Sequence, residues 1–215
     1  MIVQEHNNSK LKFISSVPDN YSEKKEYGII IMMHGYGASM HDLVSIAQVV
    51  NDKDFIYIFP NAPIEMNVGF YQKGYAWFPI ETIDYNESSK LLEETIDQII
   101  KTYKYNKIYI GGFSQGGMMA LHSGLFSNRV YSGAIILSSK IIDNKNTKNR
   151  VNIPKETKIF VSHGRFDSII GIEEGRKIKQ TLDKQGFDLF YKEYDIGHEI
   201  STDVIHDLSN WLEKK

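Results

Sequence analysis

Gly111-Gly112-Phe113-Ser114-Gln115-Gly116-Gly117 is the stretch that decides how this chain is read. The apolar run before it, Lys107-Ile108-Tyr109-Ile110, has the character of a buried strand. Met118-Met119-Ala120-Leu121-His122 after it reads as a helix. Gly112, Ser114 and Gly116 make the pattern G-x-S-x-G, which puts a serine on a tight turn from strand into helix. Such a turn strains the serine backbone, and flanking glycines leave room for strand and helix to approach. The helix directs its positively polarised N-terminus at the serine. A short pattern of this kind also arises by chance, so its meaning depends on what the rest of the chain places beside it.

Outward from that turn, strands and helices alternate. Tyr27 to Met33 and Phe55 to Phe59 are continuous apolar runs, the mark of strands buried on both faces. Leu11 to Val17 alternates apolar and polar and is expected to be a half-exposed strand. Further strands are expected at Val130 to Leu137, Lys158 to Ser162 and Phe187 to Tyr194. Helical periods appear over Asp42 to Val50, Asn86 to Tyr103, Gly171 to Gln185 and Ser201 to Lys214. Residues 61–85 show no clean period and read as a long loop, which in a compact domain is usually functional. Ser138 to Thr157 is rich in lysine and asparagine and reads as an exposed excursion. The alternation predicts one α/β domain over residues 1–215, with a largely parallel sheet covered by helices on both faces.

Composition bounds the function. Net charge is −2 with no basic block, which argues against a protein held to nucleic acid by phosphate neutralisation. With no cysteine there is no disulfide, thiolate metal site or cysteine nucleophile, a composition that fits the cytoplasm. The opening MIVQEHNNSK lacks a basic segment followed by an apolar one and is not read as a signal peptide. The longest aliphatic or Met runs are about five residues, against the ~20 that span a bilayer. No H-E-x-x-H, P-loop or G-x-G-x-x-G is present, so neither a metal nor a nucleotide cofactor is expected.

In parallel sheets, ligands bind beyond the carboxyl ends of the strands. Ser114, His34, Asp167 and His198 all fall just after strands, so this fold would gather them at one edge. A serine hydroxyl needs a base in reach, and the base needs an orienting carboxylate. Of the seven histidines, His198 follows the last strand and is the expected base. His34 and His163 each precede a glycine at a strand end and read as loop braces; His6, His41, His122 and His206 read as surface or packing residues. Asp167, on a separate strand end, is preferred to Asp195 as the acid. Ser114, Asp167 and His198 then stand in the Ser…Asp…His order of α/β-hydrolases. Backbone N–H groups of Gln115 and of Tyr36, in His34-Gly35-Tyr36-Gly37, are the expected oxyanion donors.

These segments together resemble the phospholipase/carboxylesterase family that includes the acyl-protein thioesterases. GGFSQGGMMAL is similar to its nucleophile segment, MHGYG to its oxyanion loop, FPNAP followed by AWF to a strand-loop segment, HGRFD to its acid segment and GHEIS to its histidine segment. The resemblance implies Ser114, Asp167 and His198 as triad, Tyr36 and Gln115 as backbone donors, and cleavage of carboxylic esters or thioesters without cofactor. Ala38 stands where many relatives carry aspartate, and Ser168-Ile169-Ile170-Gly171 where they often have proline, departures that bear on loop shape and substrate range. Met66, Phe70, Tyr71, Trp77 and Phe78 of the loop at 61–85 are expected to line the acyl pocket. The expected substrate is a small acyl ester of short to medium chain. A lysophospholipase or acyl-protein thioesterase with a longer pocket is the nearest alternative, and a non-catalytic binding protein on the same scaffold is the alternative of another class. Oligomeric state is not readable, a homodimer being open.

Overall fold

The computed structural model describes residues 1–142, 154, 156–187 and 189–213. The expected excursion at Ser138 to Thr157 therefore lies in large part outside the described residues. Ten strands are described: β1 (Ile2–His6), β2 (Phe13–Val17), β3 (Tyr27–Met33), β4 (Phe55–Pro60), β5 (Ile64–Gly69), β6 (Gln72–Ala76), β7 (Tyr105–Phe113), β8 (Gly133–Leu137), β9 (Lys158–Gly164) and β10 (Leu189–Tyr194). Five α-helices accompany them: α1 (Ile46–Val50), α2 (Asn86–Thr102), α3 (Gln115–Met119), α4 (Ile172–Lys184) and α5 (Thr202–Glu213). A π-helical turn, Ala120–Leu125, continues α3.

Eight strands form one sheet in the order β1-β2-β4-β3-β7-β8-β9-β10. β3, β4 and β7 to β10 run parallel, while β1 and β2 are antiparallel at one edge. The pleat sorts the apolar runs between two cores. Ile29, Ile31 and Met33 of β3 face α2, α3 and α4 through Leu92, Ile96, Met118 and Ile178. Ile30 and Met32 face α1 and α5 through Ile46, Val50, Leu208 and Trp211. This alternation explains why β3 has no polar position: each face of the strand meets a helical layer.

Three readings are corrected here. β2 is not half-exposed. Ser15 and Ser16 are buried, because β1 covers that edge and His6 Nε2 lies 2.8 Å from Ser15 Oγ. Residues 61–85 are not a featureless loop either: β5 and β6 form an antiparallel hairpin. Most of β5 and β6 is exposed, so no apolar face imposes a period on the sequence. The hairpin leans on the loop after β3, where Gly37 N–H donates to Tyr75 O at 2.9 Å and Tyr75 N–H donates to Ala38 O at 2.8 Å. α1 is also shorter than the period over Asp42 to Val50 suggests.

β3 lies between β4, which follows it in the chain, and β7, which pairs with its other side. The strand order therefore reverses at β3/β7, and a crevice opens there. Met33 pairs with Gly112 at the end of that ladder. His34, the next residue, is buried and braces the crevice. Its Nδ1–H donates to Gly35 O at 2.8 Å, and its Nε2 accepts Ala62 N–H at 3.1 Å. Those two bonds fix the neutral tautomer. Burial pushes this imidazole down from 6.5 to about 4, against smaller upward pulls from the Gly35 carbonyl and the Asp42 carboxylate.

A methyl at Gly116 would stand 2.1 Å from Met33 O, a backbone atom that cannot swing aside. Gly116→Ala should therefore cost on the order of 3 kcal/mol, the upper range for overpacking, read as a lowered urea midpoint; an unshifted midpoint would contradict the packing. Because the unfolded chain takes up a proton at His34 between pH 6.5 and about 4 that the fold refuses, stability falls as pH drops through that window. His34→Gln, which cannot titrate, should lose less stability over the same range, by about 3 kcal/mol at 1.36 kcal/mol per pKa unit. Parallel pH profiles for the two proteins would contradict this.

Candidate active site

Ser114 stands between β7 and α3 with φ 57 and ψ −118, one of the few non-glycine residues of positive φ among the described residues. A bulky side chain rarely accepts this conformation, and it persists here because the surroundings fix it. Ser114 N–H donates to Leu137 O at 2.9 Å, and Ser114 O accepts Met118 N–H at 3.1 Å and Ser139 Oγ–H at 2.8 Å. Gly112 and Gly116 meet across the turn: a Cβ on Gly112 would lie 2.3 Å from Gly116 C. Only hydrogen fits at both places.

Asp167 follows β9 and His198 follows β10, and the two loops are tied to one another. Arg165 N–H donates to Tyr194 O at 2.8 Å and Phe166 N–H donates to Ile196 O at 3.0 Å. His198 Nδ1–H donates to Asp167 Oδ2 at 2.7 Å. The other carboxylate oxygen, Oδ1, accepts Ile169 N–H at 2.9 Å and Ile170 N–H at 2.8 Å. Burial pushes the Asp167 carboxyl upward, but the His198 bond and the two backbone N–H groups outweigh it and hold the group below its usual range. Asp195 points elsewhere and pairs with Arg165 Nη1 at 2.6 Å. His163 lies beneath the acid, its Nε2 2.7 Å from Ile170 O and 3.5 Å from Asp167 Oδ2. The His198 ring rests on Phe113, centroids 4.7 Å apart.

Two cavities meet at this point, and Ser114, His198 and Tyr36 line both. One, of about 350 Å³, runs past Asp42, Leu43 and Glu199. The other, of about 360 Å³, is walled by Phe78, Met118, Ile142, Ile169 and Ile170. Tyr36 N–H and Gln115 N–H, flanking the serine, make no hydrogen bond among the described residues.

The candidates from residues 61–85 separate. Phe78 lines the second cavity. Phe70 and Tyr71 are fully exposed at the hairpin tip, and Met66 is half-buried on β5. Trp77 is completely buried beneath the site and lines neither cavity. Its indole N–H donates to His34 O at 3.0 Å, and its backbone N–H donates to Gln115 Oε1 at 2.8 Å. Gln115 Nε2–H in turn donates to Phe78 O at 2.8 Å. The Gln115 side chain thus clamps the Trp77-Phe78 strap to the serine turn, a role that sequence reasoning did not find. It also did not find Ile169, Ile170, Lys140 and Ile142 as lining. A signal was available: all four follow the ends of β8 and β9, at the edge where the serine stands.

Known proteins resemble this chain in sequence and in fold. The family model described as phospholipase/carboxylesterase matches residues 20–215. Acyl-protein thioesterase 1 of Emericella nidulans is 30% identical over 221 residues, covering 89% of this chain and 91% of that protein. Among solved structures, SOBER1 of Arabidopsis thaliana superposes with a TM-score of 0.73 at 26% identity, over 87% of this chain and 98% of that one. Esterase PE8 superposes with a TM-score of 0.80 over 99% of this chain and 98% of that one; at 19% identity it speaks for the fold alone. This chain belongs to the phospholipase/carboxylesterase family, with the α/β-hydrolase fold, and is a hydrolase of esters or thioesters.

Proposed function

We propose that the chain is a serine carboxylesterase acting on short- to medium-chain acyl esters, with Ser114 as nucleophile, His198 as base and Asp167 as orienting acid. The observation that carries this reading is the 2.7 Å bond from His198 Nδ1 to Asp167 Oδ2, made by a ring that lines the same clefts as a serine held at φ 57. With Nδ1–H committed to the carboxylate, Nε2 keeps its lone pair and takes the serine proton. Ser114 Oγ attacks the carbonyl carbon. The oxygen that gains charge is received by the N–H groups of Tyr36 and Gln115. Collapse of the adduct breaks the bond to the alcohol or thiol, which leaves with the proton from His198. Water, deprotonated by His198, then attacks the acyl-serine and releases the acid.

The apolar cleft past Phe78, Met118 and Ile170 is assigned to the acyl chain, and the cleft past Asp42 and Glu199 to the leaving group. A second reading, an acyl-protein thioesterase or lysophospholipase, is favoured by the thioesterase relative at 30% identity. It differs only in the length of acyl chain accepted and in the leaving atom. A cytoplasmic location is in keeping with the cysteine-free sequence.

Ser114→Ala should lower hydrolysis of p-nitrophenyl butyrate by on the order of a thousandfold or more, with an unchanged circular dichroism spectrum. Turnover retained by that variant would contradict the assignment. Esters and thioesters of two to sixteen carbons, measured side by side, separate the two readings: a kcat/KM maximum at eight carbons or fewer supports the carboxylesterase, and a maximum at the longest thioesters supports the alternative.

A further inference from the structure

The acyl cleft is apolar except at its catalytic mouth and at one residue, Lys140. Lys140 is half-buried and, among the described residues, has no ion pair or hydrogen bond. Its backbone is not free to wander. Ser138 N–H donates to Ser162 O at 2.9 Å, and Ser138 itself is held at φ 44. The hydroxyl of Ser139 donates to Ser114 O at 2.8 Å, so Lys140 is tethered through its neighbour to the reacting residue itself. Lys140 lines this cleft together with Ile142, Ile169 and Ile170, and apolar walls strengthen the attraction of a cation for an anion.

The second observation is independent of the first. The leaving-group cleft, which meets this one at Ser114 and His198, carries carboxylates instead, at Asp42 and the exposed Glu199. Asp42 already accepts from Ser39 Oγ at 3.0 Å, whereas Glu199 has no ion pair among the described residues. The two clefts therefore oppose each other in charge across the nucleophile. A substrate with a negative group on its acyl arm is attracted by one and repelled by the other.

We propose that Lys140 is a specificity-determining residue that selects acyl arms ending in a carboxylate: monoesters or monothioesters of α,ω-dicarboxylic acids, seated with the anion on Lys140 and a neutral or cationic leaving group beside Asp42 and Glu199. The proposal rests on the esterase reading above and on its assignment of the two clefts. It gives the chain a reaction class, removal of a neutral or cationic alcohol or thiol from a dicarboxylic acid monoester, and orients the substrate before any covalent step.

The test compares monoethyl adipate and monoethyl suberate with ethyl hexanoate and ethyl octanoate. Wild type, Lys140→Met and Lys140→Glu are assayed by pH-stat at low ionic strength, at a pH near 7.5 where the free carboxylate is ionised. The quantity read is the ratio of kcat/KM for the charged ester to that for the neutral ester of equal length. A loss of structure lowers both rates together and leaves this ratio in place. We expect the ratio to fall at least tenfold in Lys140→Met and further in Lys140→Glu, and the wild-type ratio to fall as salt is raised. A ratio that is the same in all three proteins while the neutral esters turn over overturns the role of Lys140 and leaves the esterase reading standing. A response only with esters whose charge lies on the leaving group overturns the assigned orientation, and the proposal with it. Hydrolysis of neither ester type by the wild type overturns the esterase reading and this proposal together.

Discussion

The first turn of α3 rests directly on the last carbonyl groups of β3, and the site depends on that contact. Gly116 makes it possible, since any side chain there would occupy the space of Met33 O. Once strand and helix are this close, the residue between them has no room for an ordinary extended or helical conformation, and Ser114 takes φ 57. The same approach brings the loop after β3 alongside the serine, so that Tyr36 and Gln115 flank it. The position of the Ser114 hydroxyl is thus set by a packing constraint in the middle of the sheet.

The periphery is fastened to that centre. Gln115 reaches from the serine turn to the Trp77-Phe78 strap, Trp77 reaches back to His34 O, and β6 pairs with the residues after Tyr36. On the other side, the loops that carry Asp167 and His198 are joined through Arg165 and Phe166. A change in the strap or hairpin therefore acts on the Tyr36 and Gln115 side of Ser114, and a change near Ile196 acts on the His198 side. This division matches the two clefts, one apolar with a lone cation and one bordered by carboxylates.

What could be read from the sequence, and what could not, has a physical pattern. β3, β4 and β8 were legible because both faces are buried and the runs are apolar without interruption. The preference for Asp167 over Asp195 rested on strand-end placement, which the hydrogen bond to His198 and the pairing of Asp195 with Arg165 now complement. β1 was missed because it is almost wholly exposed, and Ser15 and Ser16 misled because they are polar and buried. The hairpin at β5 and β6 left no period to detect. Trp77 and Phe78 are adjacent in the chain, yet one lies under the site and the other in the cleft. Composition cannot separate them, because the difference lies in a tertiary contact, the bond from the Trp77 indole N–H to His34 O.

The central claim is that one serine, strained by its packing and served by His198, is the nucleophile. The most direct measurement is reaction of the native protein with a fluorophosphonate, followed by digestion and mass spectrometry of the labelled peptides. The account predicts one label per chain, on Ser114, and none after unfolding in urea. A protein that takes no label when folded, or takes it on another serine, would contradict it.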